Sequence, residues 1–244
     1  MKLNCDMGEG YGAWIMGRDS EIMPYIDMSN IACGFHASDP DIMNNTIKLA
    51  IEQDVKVGAH PGYPDLHGFG RKDMSFSSDE LVNMTLYQVG ALQALCVANN
   101  TSVSYIKPHG ALYNLMMRDM EVYKSMLTAV SKLNFKVPLM IMAVPNHLEY
   151  TSLAKDFGVE LLMEAFCDRA YTDDGKLQSR QISGAVYDDI DSIINQATQL
   201  IKNKSVTSCT GKKLSIEADS ICIHGDGKLA VAAVQGIRKV LQSL

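Results

Sequence analysis

Ile106-Lys107-Pro108-His109-Gly110-Ala111-Leu112-Tyr113-Asn114 follows directly on Val103-Ser104-Tyr105-Ile106, an alternating run that reads as a short strand. Pro108 cannot continue a hydrogen-bonded ladder, so the strand ends there. Gly110 then lets the backbone turn sharply. Lys107 and His109 are thereby placed at the carboxyl lip of a strand, where α/β proteins carry their chemistry. One such lip decides nothing. Its repetition along the chain decides the fold.

Upstream, Leu3-Asn4-Cys5 is a short strand ending in the glycine-rich Asp6-Met7-Gly8-Glu9-Gly10-Tyr11-Gly12. The second unit runs from Tyr25 to Cys33-Gly34-Phe35-His36, and Ser38 or Asp39 can cap a helix whose first residue is Pro40. The third strand, Val55-Lys56-Val57-Gly58-Ala59, leads into His60-Pro61-Gly62-Tyr63-Pro64-Asp65 and a shaped loop to Lys72. Ser77 and Glu80 have capping-box spacing and open a helix through about Ala98.

Downstream of the Lys107 stretch comes a helix from about Asp119 to Leu133, then the wholly apolar strand Leu139 to Val144, as expected of a strand covered on both faces. Val159 to Met163 is the sixth strand, entering Glu164-Ala165-Phe166-Cys167-Asp168-Arg169. A helix from about Asp188 to Lys202 follows. Ser220-Ile221-Cys222-Ile223 is the seventh strand, ending in His224-Gly225-Asp226-Gly227, and a helix from Leu229 to Leu241 closes the chain.

Seven strand-then-helix units in series imply a parallel sheet with helices outside. An open doubly wound sheet would need polar residues only at its switch-point loops, whereas here nearly every strand ends in them, which favours a closed seven-stranded β/α barrel. The 244 residues suffice for one such barrel spanning residues 1–244.

The composition, 47% hydrophobic, supports a full core, and the formal net charge of −6 argues against a nucleic-acid or anionic-membrane surface. No apolar h-region opens the chain and no uninterrupted apolar run reaches about 18 residues, so neither a signal peptide nor a membrane span is expected. Six scattered cysteines without a CxxC pair read as reduced thiols, and the expected compartment is cytoplasmic. Gly8-Glu9-Gly10-Tyr11-Gly12-Ala13 fails as a dinucleotide fingerprint because Glu9 would face the pyrophosphate. Cys209-Thr210-Gly211-Lys212-Lys213 lacks the earlier glycine and the final Ser/Thr of a P-loop. HExxH and G-x-S-x-G are absent.

Four of the six histidines, His36, His60, His109 and His224, lie within a few residues of strand ends, while His67 and His147 read as loop or cap residues. Asp6, Glu9, Asp65, Glu164, Asp168 and Asp226 stand at matching positions, and Lys107, Arg71, Arg169 and Arg180 supply positive charge. Lys107, held between strand and proline, is the best candidate for an oxyanion-binding cation. Such a set could hold a divalent metal through Asp6, His36, His60 and His109, or work as acid/base machinery without one.

Leu3-Asn4-Cys5-Asp6-Met7-Gly8-Glu9, Asn30-Ile31-Ala32-Cys33-Gly34-Phe35-His36, Gly58 to Asp65, Gly68-Phe69-Gly70-Arg71, Lys107 to Asn114, Glu164-Ala165-Phe166 with Asp168-Arg169, and His224-Gly225-Asp226 together resemble the LamB/YcsF family, over nearly the whole chain and in order. The resemblance implies a seven-stranded barrel similar to the glycoside hydrolase/deacetylase superfamily. It also implies ATP-dependent opening of 5-oxo-L-proline to L-glutamate as a 5-oxoprolinase, with partner subunits B and C. On that reading Asp6, His60, Lys107, His109 and Asp226 are expected to be catalytic, with Asp6, His60 or His109 as acid or base. Glu9, Asn30, His36, Arg71, Asn114, Glu164, Arg169 and His224 are expected to contact the substrate, Arg71 or Arg169 holding its carboxylate. The absent P-loop fits a partner that supplies most of the nucleotide binding. Departures are Ser38 for the usual glycine, Cys167 for alanine, Ser183 before Gly184 where proline is common, and Gly227-Lys228-Leu229 after the His-Gly-Asp. Two rivals are an autonomous metal-dependent deacetylase or amidohydrolase, which would ignore ATP, and a non-catalytic binding or regulatory subunit.

Overall fold

Each strand-then-turn unit forms one stave of a closed parallel barrel. The computed structural model describes residues 1–225, 227 and 229–243. Its staves are β1 (Lys2–Met7), β2 (Met28–Ala32), β3 (Lys56–His60), β4 (Tyr105–Ile106), β5 (Leu139–Met142), β6 (Leu161–Phe166) and β9 (Ser220–Ile223), and β9 closes onto β1 from Lys2↔Ser220 to Cys5↔Ile223. The seven-stranded barrel expected from the sequence is therefore the observed fold.

Local chemistry explains the helices outside. α1 (Asp19–Ile22) is a single turn after the β1 loop. Asp39 caps α2 (Pro40–Glu52) by accepting from the Asp41 and Ile42 N–H groups. Ser77 and Glu80 form the reciprocal capping box of α3 (Ser78–Ala98). From Leu81 to Ala98 this helix carries no charged residue, and its length and composition would suit a membrane crossing. Asn83, Thr85, Gln88 and Gln93 break the apolar run in sequence, which is why it does not read as a span. In the fold α3 packs along α5 (Met120–Ser131), burying Leu81, Val89, Leu92 and Cys96.

Four features depart from the sequence reading. β4 holds only Tyr105–Ile106, because the Val103 N–H donates to Gln93 Oε1 instead of a neighbouring strand. Gly110, read as a turn, is the first residue of α4 (Gly110–Met116), and α6 (Leu148–Asp156) follows Pro145-Asn146-His147. Between α7 (Ile190–Asn203) and β9 the chain adds a small antiparallel hairpin, β7 (Ser205–Thr207) with β8 (Lys213–Ser215). α8 (Ala230–Gln242) ends the fold.

Strand alternation sorts the barrel interior into layers. Met28, Tyr105 and Met140 pack together as an apolar plug with Leu162 against it. The Tyr105 ring lies where Gly58 has no side chain: a Cβ there would sit 2.1 Å from a ring carbon. Above the plug, one pleat step toward the carboxyl ends, the interior turns polar.

Candidate active site

Lys107 is two residues beyond Tyr105 and shares its inward face. Its ammonium, 3% exposed as a residue, lies 3.0 Å from Asp6 Oδ1 and 2.9 Å from Glu164 Oε1. Nζ also reaches Asn4 Oδ1 at 3.4 Å and Cys222 Sγ at 3.2 Å. Asn30 donates through Nδ2 to both Asn4 Oδ1 and Asp6 Oδ1, each at 2.8 Å, and is itself oriented by the Tyr105 hydroxyl, which donates to Asn30 Oδ1 at 2.7 Å. Tyr113 donates to Glu164 Oε2 at 2.9 Å. Every member of this layer is buried, where an unpaired charge would be costly.

The charges set one another's protonation. Burial alone would raise the Asp6 carboxyl, but Lys107 and then His60 pull it well below the usual carboxylate range. Burial would likewise lower Lys107, yet Asp6, Cys222 and Glu164 hold it well above an ordinary lysine. An ammonium is thus fixed at this level of the barrel. Burial raises the Cys222 thiol well above its usual value despite that ammonium.

A second cluster stands on the neighbouring strand ends. His60 Nδ1 donates to the Lys107 carbonyl at 2.7 Å, and His109 Nε2 donates to the Phe69 carbonyl at 2.9 Å. Carbonyls only accept, so these contacts assign the ring protons outward. His60 Nε2 and His109 Nδ1, 2.9 Å apart, are left facing each other as lone pairs. Two facing acceptors need a proton or a cation beside them. Glu9 Oε1 lies 3.5 Å from His109 Nδ1 and 3.3 Å from His36 Nε2, and all four ligand atoms fall within 4.8 Å of one another. Burial, then the neighbouring histidines, hold His36 and His109 well below the usual imidazole value, so both are neutral. His36, His60 and His109 with the Glu9 carboxylate, two of the rings oriented by backbone carbonyls, make a donor set and outer shell consistent with a divalent metal.

Backbone geometry builds this cluster. Gly8, at φ +67°, turns the chain so that Glu9 reaches across to His36. Phe69 and Gly70 both adopt the left-handed conformation, φ +55° and +62°, which aims the Phe69 carbonyl at His109. A Cβ on Gly70 would lie 2.7 Å from His36 Cβ and 2.8 Å from His109 Cδ2, so only glycine lets these two rings stack at 3.7 Å.

Both clusters border a cavity of about 470 Å³ lined by Asp6, His60, Lys107, His109, Phe166 and His224 among others. His224 Nδ1 donates to Asp168 Oδ2 at 2.8 Å, and its Nε2 accepts from Arg180 at 2.8 Å. Burial would raise Asp168, but His224 brings it below the usual range. Arg169 donates to the Ala185 and Gln178 carbonyls at 3.2 and 2.6 Å, and burial pushes it down to about 10. Arg71 and Asn114 line the mouth and are exposed, the Arg71 guanidinium lying 4.9 Å from the Phe69 ring centre.

Of the residues singled out in the sequence, Asp6, His60, Lys107, His109, Arg71, Asn114, Arg169 and His224 line this cavity. Glu9, Asn30, His36 and Glu164 are buried beside or beneath it, touching the residues that do. Asp226 lies outside the described residues. The carboxylate among the metal donors is Glu9; Asp6 Oδ1 stands 3.5 Å from His60 Nε2 and turns toward Lys107. Asn4, Tyr105, Tyr113 and Cys222 join the site without having been expected. Strand alternation was the signal available for three of them: Asn4 is two residues from Asp6, Tyr105 two from Lys107, and Cys222 two from His224.

The LamB/YcsF family profile matches residues 1–244. A protein of Vibrio parahaemolyticus, named as the A subunit of 5-oxoprolinase, is 52% identical over 243 residues, covering 100% of this chain and 96% of its own length. One of the same name from Chromohalobacter salexigens is 49% identical over 242 residues, covering 99% and 97%. The crystal structure of a lactam utilization protein from Thermus thermophilus superposes with a TM-score of 0.91 at 35% identity, over 100% of this chain and 96% of that one.

Proposed function

The chain belongs to the LamB/YcsF family, and from that premise we propose that it acts as the A subunit of an ATP-dependent 5-oxoprolinase. In this reading one barrel domain over residues 1–244 works in the cytoplasm with subunits B and C and opens 5-oxo-L-proline to L-glutamate. The single observation that carries the reading is the Lys107 ammonium locked between Asp6 and Glu164 beside the cavity. The relatives' names supply the substrate class.

A five-membered lactam is a stable amide, and its opening at neutral pH calls for coupling to ATP. The γ-phosphoryl group passes to the lactam oxygen, leaving ADP. Water then adds to the activated carbon, and the C–N bond breaks as the ring nitrogen takes a proton. The γ-acyl phosphate so formed loses phosphate to a second water. Lys107 faces the charge that develops on oxygen and needs no reorganisation to do so. Asp6, anionic, lining the cavity and oriented by Asn30, serves as a hydrogen-bond acceptor that orients the attacking water. His224, with its imidazole oriented by Asp168, is placed to exchange a proton at Nε2 once Arg180 turns to an anionic group. Arg71, exposed at the mouth of the cavity, suits the substrate carboxylate. Glu9, His36, His60 and His109 would hold a divalent cation, which supplies Lewis-acid polarisation of a nearby oxygen when bound.

The purified chain should release glutamate from 5-oxo-L-proline only when subunits B and C and ATP are all present. A chromatographic glutamate assay with each component omitted in turn checks this. Release by the chain alone without ATP, or hydrolysis of N-acetylated sugars abolished by EDTA, would replace the proposal with the autonomous metal-dependent hydrolase that the His/Glu cluster also suits.

A further inference from the structure

Among the described residues, twelve large apolar side chains are exposed, and eight of them sit on or at the end of loops that follow barrel strands. In a parallel barrel all such loops share the face that carries the cavity mouth. Four belong to the β1 loop: Tyr11, Trp14, Ile15 and Met16, with Trp14 69% and Ile15 92% exposed. Leu66, Leu148, Ile182 and Val186 lie on the β3, β5 and β6 loops. Scattered exposed apolar residues need no explanation, but their concentration on one functional face does.

The β1 loop is a braced knuckle. Tyr11 and Trp14 exchange backbone hydrogen bonds at 3.0 and 2.9 Å. Asp39 Oδ2 accepts from the Gly12 N–H at 2.8 Å, Asp19 Oδ2 from the Gly8 N–H at 2.7 Å, and the Gly10 carbonyl from the Ser38 N–H at 2.7 Å. A Cβ on Gly10 would lie 2.8 Å from the Trp14 carbonyl, so the turn is tightly folded. Its root is Glu9, a member of the buried donor cluster. An indole and a branched aliphatic side chain are thus held outward on a rigid support that is continuous with the site. Pre-organised aromatic anchors of this kind dominate protein interfaces.

We infer that this knuckle, Trp14 and Ile15 at its tip, docks into an apolar pocket of the partner subunit that brings the nucleotide, and that this partner closes the cavity mouth. The inference rests on the reading of the chain as one subunit of an ATP-coupled lactam hydrolase. Charge complementarity favours that occupant. The exposed rim carries Arg71, Arg118, Lys176 and Arg180; Asp73 pairs with Arg118 and Asp174 with Lys176, and the lining stays net basic, a setting suited to phosphates arriving with the partner. An activated lactam also has to be shielded from bulk water, and this chain's own loops leave the cavity open. A second copy of the chain is the competing occupant, and it would show as a wild-type dimer: the cavity at the opposite barrel end has a mixed lining, Lys2, Lys56 and Arg238 beside Ile26, Pro138 and Leu162.

The test is a double variant, Trp14→Ser with Ile15→Ser, beside a control on the outer face of α3, Val97→Ser. Affinity for purified subunits B and C is measured by titration calorimetry, and glutamate release is followed as partner concentration rises. The double variant should bind about tenfold or more weakly and recover turnover near the wild-type level at saturating partner, while the control matches wild type. Unchanged affinity in the double variant, equal weakening in the control, or no binding of wild type to either partner would overturn the interface. So would a wild-type dimer that the double variant dissolves. If wild type binds partners through the knuckle yet makes no glutamate, the interface stands and the proposed reaction fails.

Discussion

Lys107→Ala is expected to abolish glutamate release by the reconstituted complex and to cost about 3–5 kcal/mol of folding stability, the usual effect of removing one partner from a buried ion pair. Both losses have one origin. The ammonium stands between Asp6 and Glu164, and without it two carboxylates share a buried pocket.

The pH dependence of the loss has a definite sign. In wild type the Asp6 carboxyl is held below its unfolded value, so its contribution is present above the ordinary carboxylate range and fades as pH falls through the folded-state value. Lys107 is held above its unfolded value, so its contribution is complete below the ordinary lysine range and fades as pH rises through the folded-state value. In the variant, burial acts on Asp6 without the opposing ammonium and raises it. Protonation then favours the folded state, so the stability gap between wild type and variant should be widest near neutrality and narrow toward pH 4. Urea unfolding at several pH values measures the gap. A gap independent of pH, or a variant with normal turnover, would remove Lys107 from the role given to it.

His109→Ala is expected to weaken divalent-metal binding by more than about two orders of magnitude, since it deletes one of four donors and uncovers the stacked face of His36. Glu9→Gln should act in the same direction. Lys107→Ala, which leaves all four donors in place, should change metal affinity far less. Titration against a chromophoric chelator reads binding directly, whatever the state of the partner subunits. The wild-type chain should take up about one equivalent of zinc or manganese. Failure of wild type to bind either ion, or an unchanged affinity in His109→Ala, would contradict the assignment of the cluster. The facing lone pairs of His60 and His109 would then be reconciled by a shared proton.

Much of this architecture can be read from local chemistry. Ser220–Ile223 is a strand as expected, Asp39 caps α2 ahead of Pro40, and Ser77 with Glu80 opens α3. These features depend on residues within one turn of each other. α4 escapes such a reading because Gly110, which ordinarily breaks a helix, begins one here at φ +53°. The β7–β8 hairpin escapes it because three-residue strands carry too little alternation to register.

The site was legible to the same depth. Polar residues at strand ends identified His60, Lys107, His109 and His224, because a strand's end can be read locally. Which carboxylate meets which histidine could not be read in this way. That choice depends on the stagger of β1 against its neighbours and on the left-handed turn at Gly8, which carries Glu9 to His36 while Asp6 stays with Lys107. The supporting polar groups, Asn4, Tyr105 and Tyr113, act across the barrel on residues at least 26 positions away. Ser38 takes φ +75° without being glycine, its N–H bound to the Gly10 carbonyl.

The central claim is that strand ends from Asp6 to His224 form one pocket in which a lactam is held beside Lys107. A crystal structure of the chain soaked with 5-oxo-L-proline tests it most directly. The expected result is ligand density in the cavity between Lys107 and His224, with the ring carbonyl toward the Lys107 ammonium and the carboxylate toward the Arg71 rim. Ligand bound at the opposite end of the barrel, with the cavity clear, would contradict it.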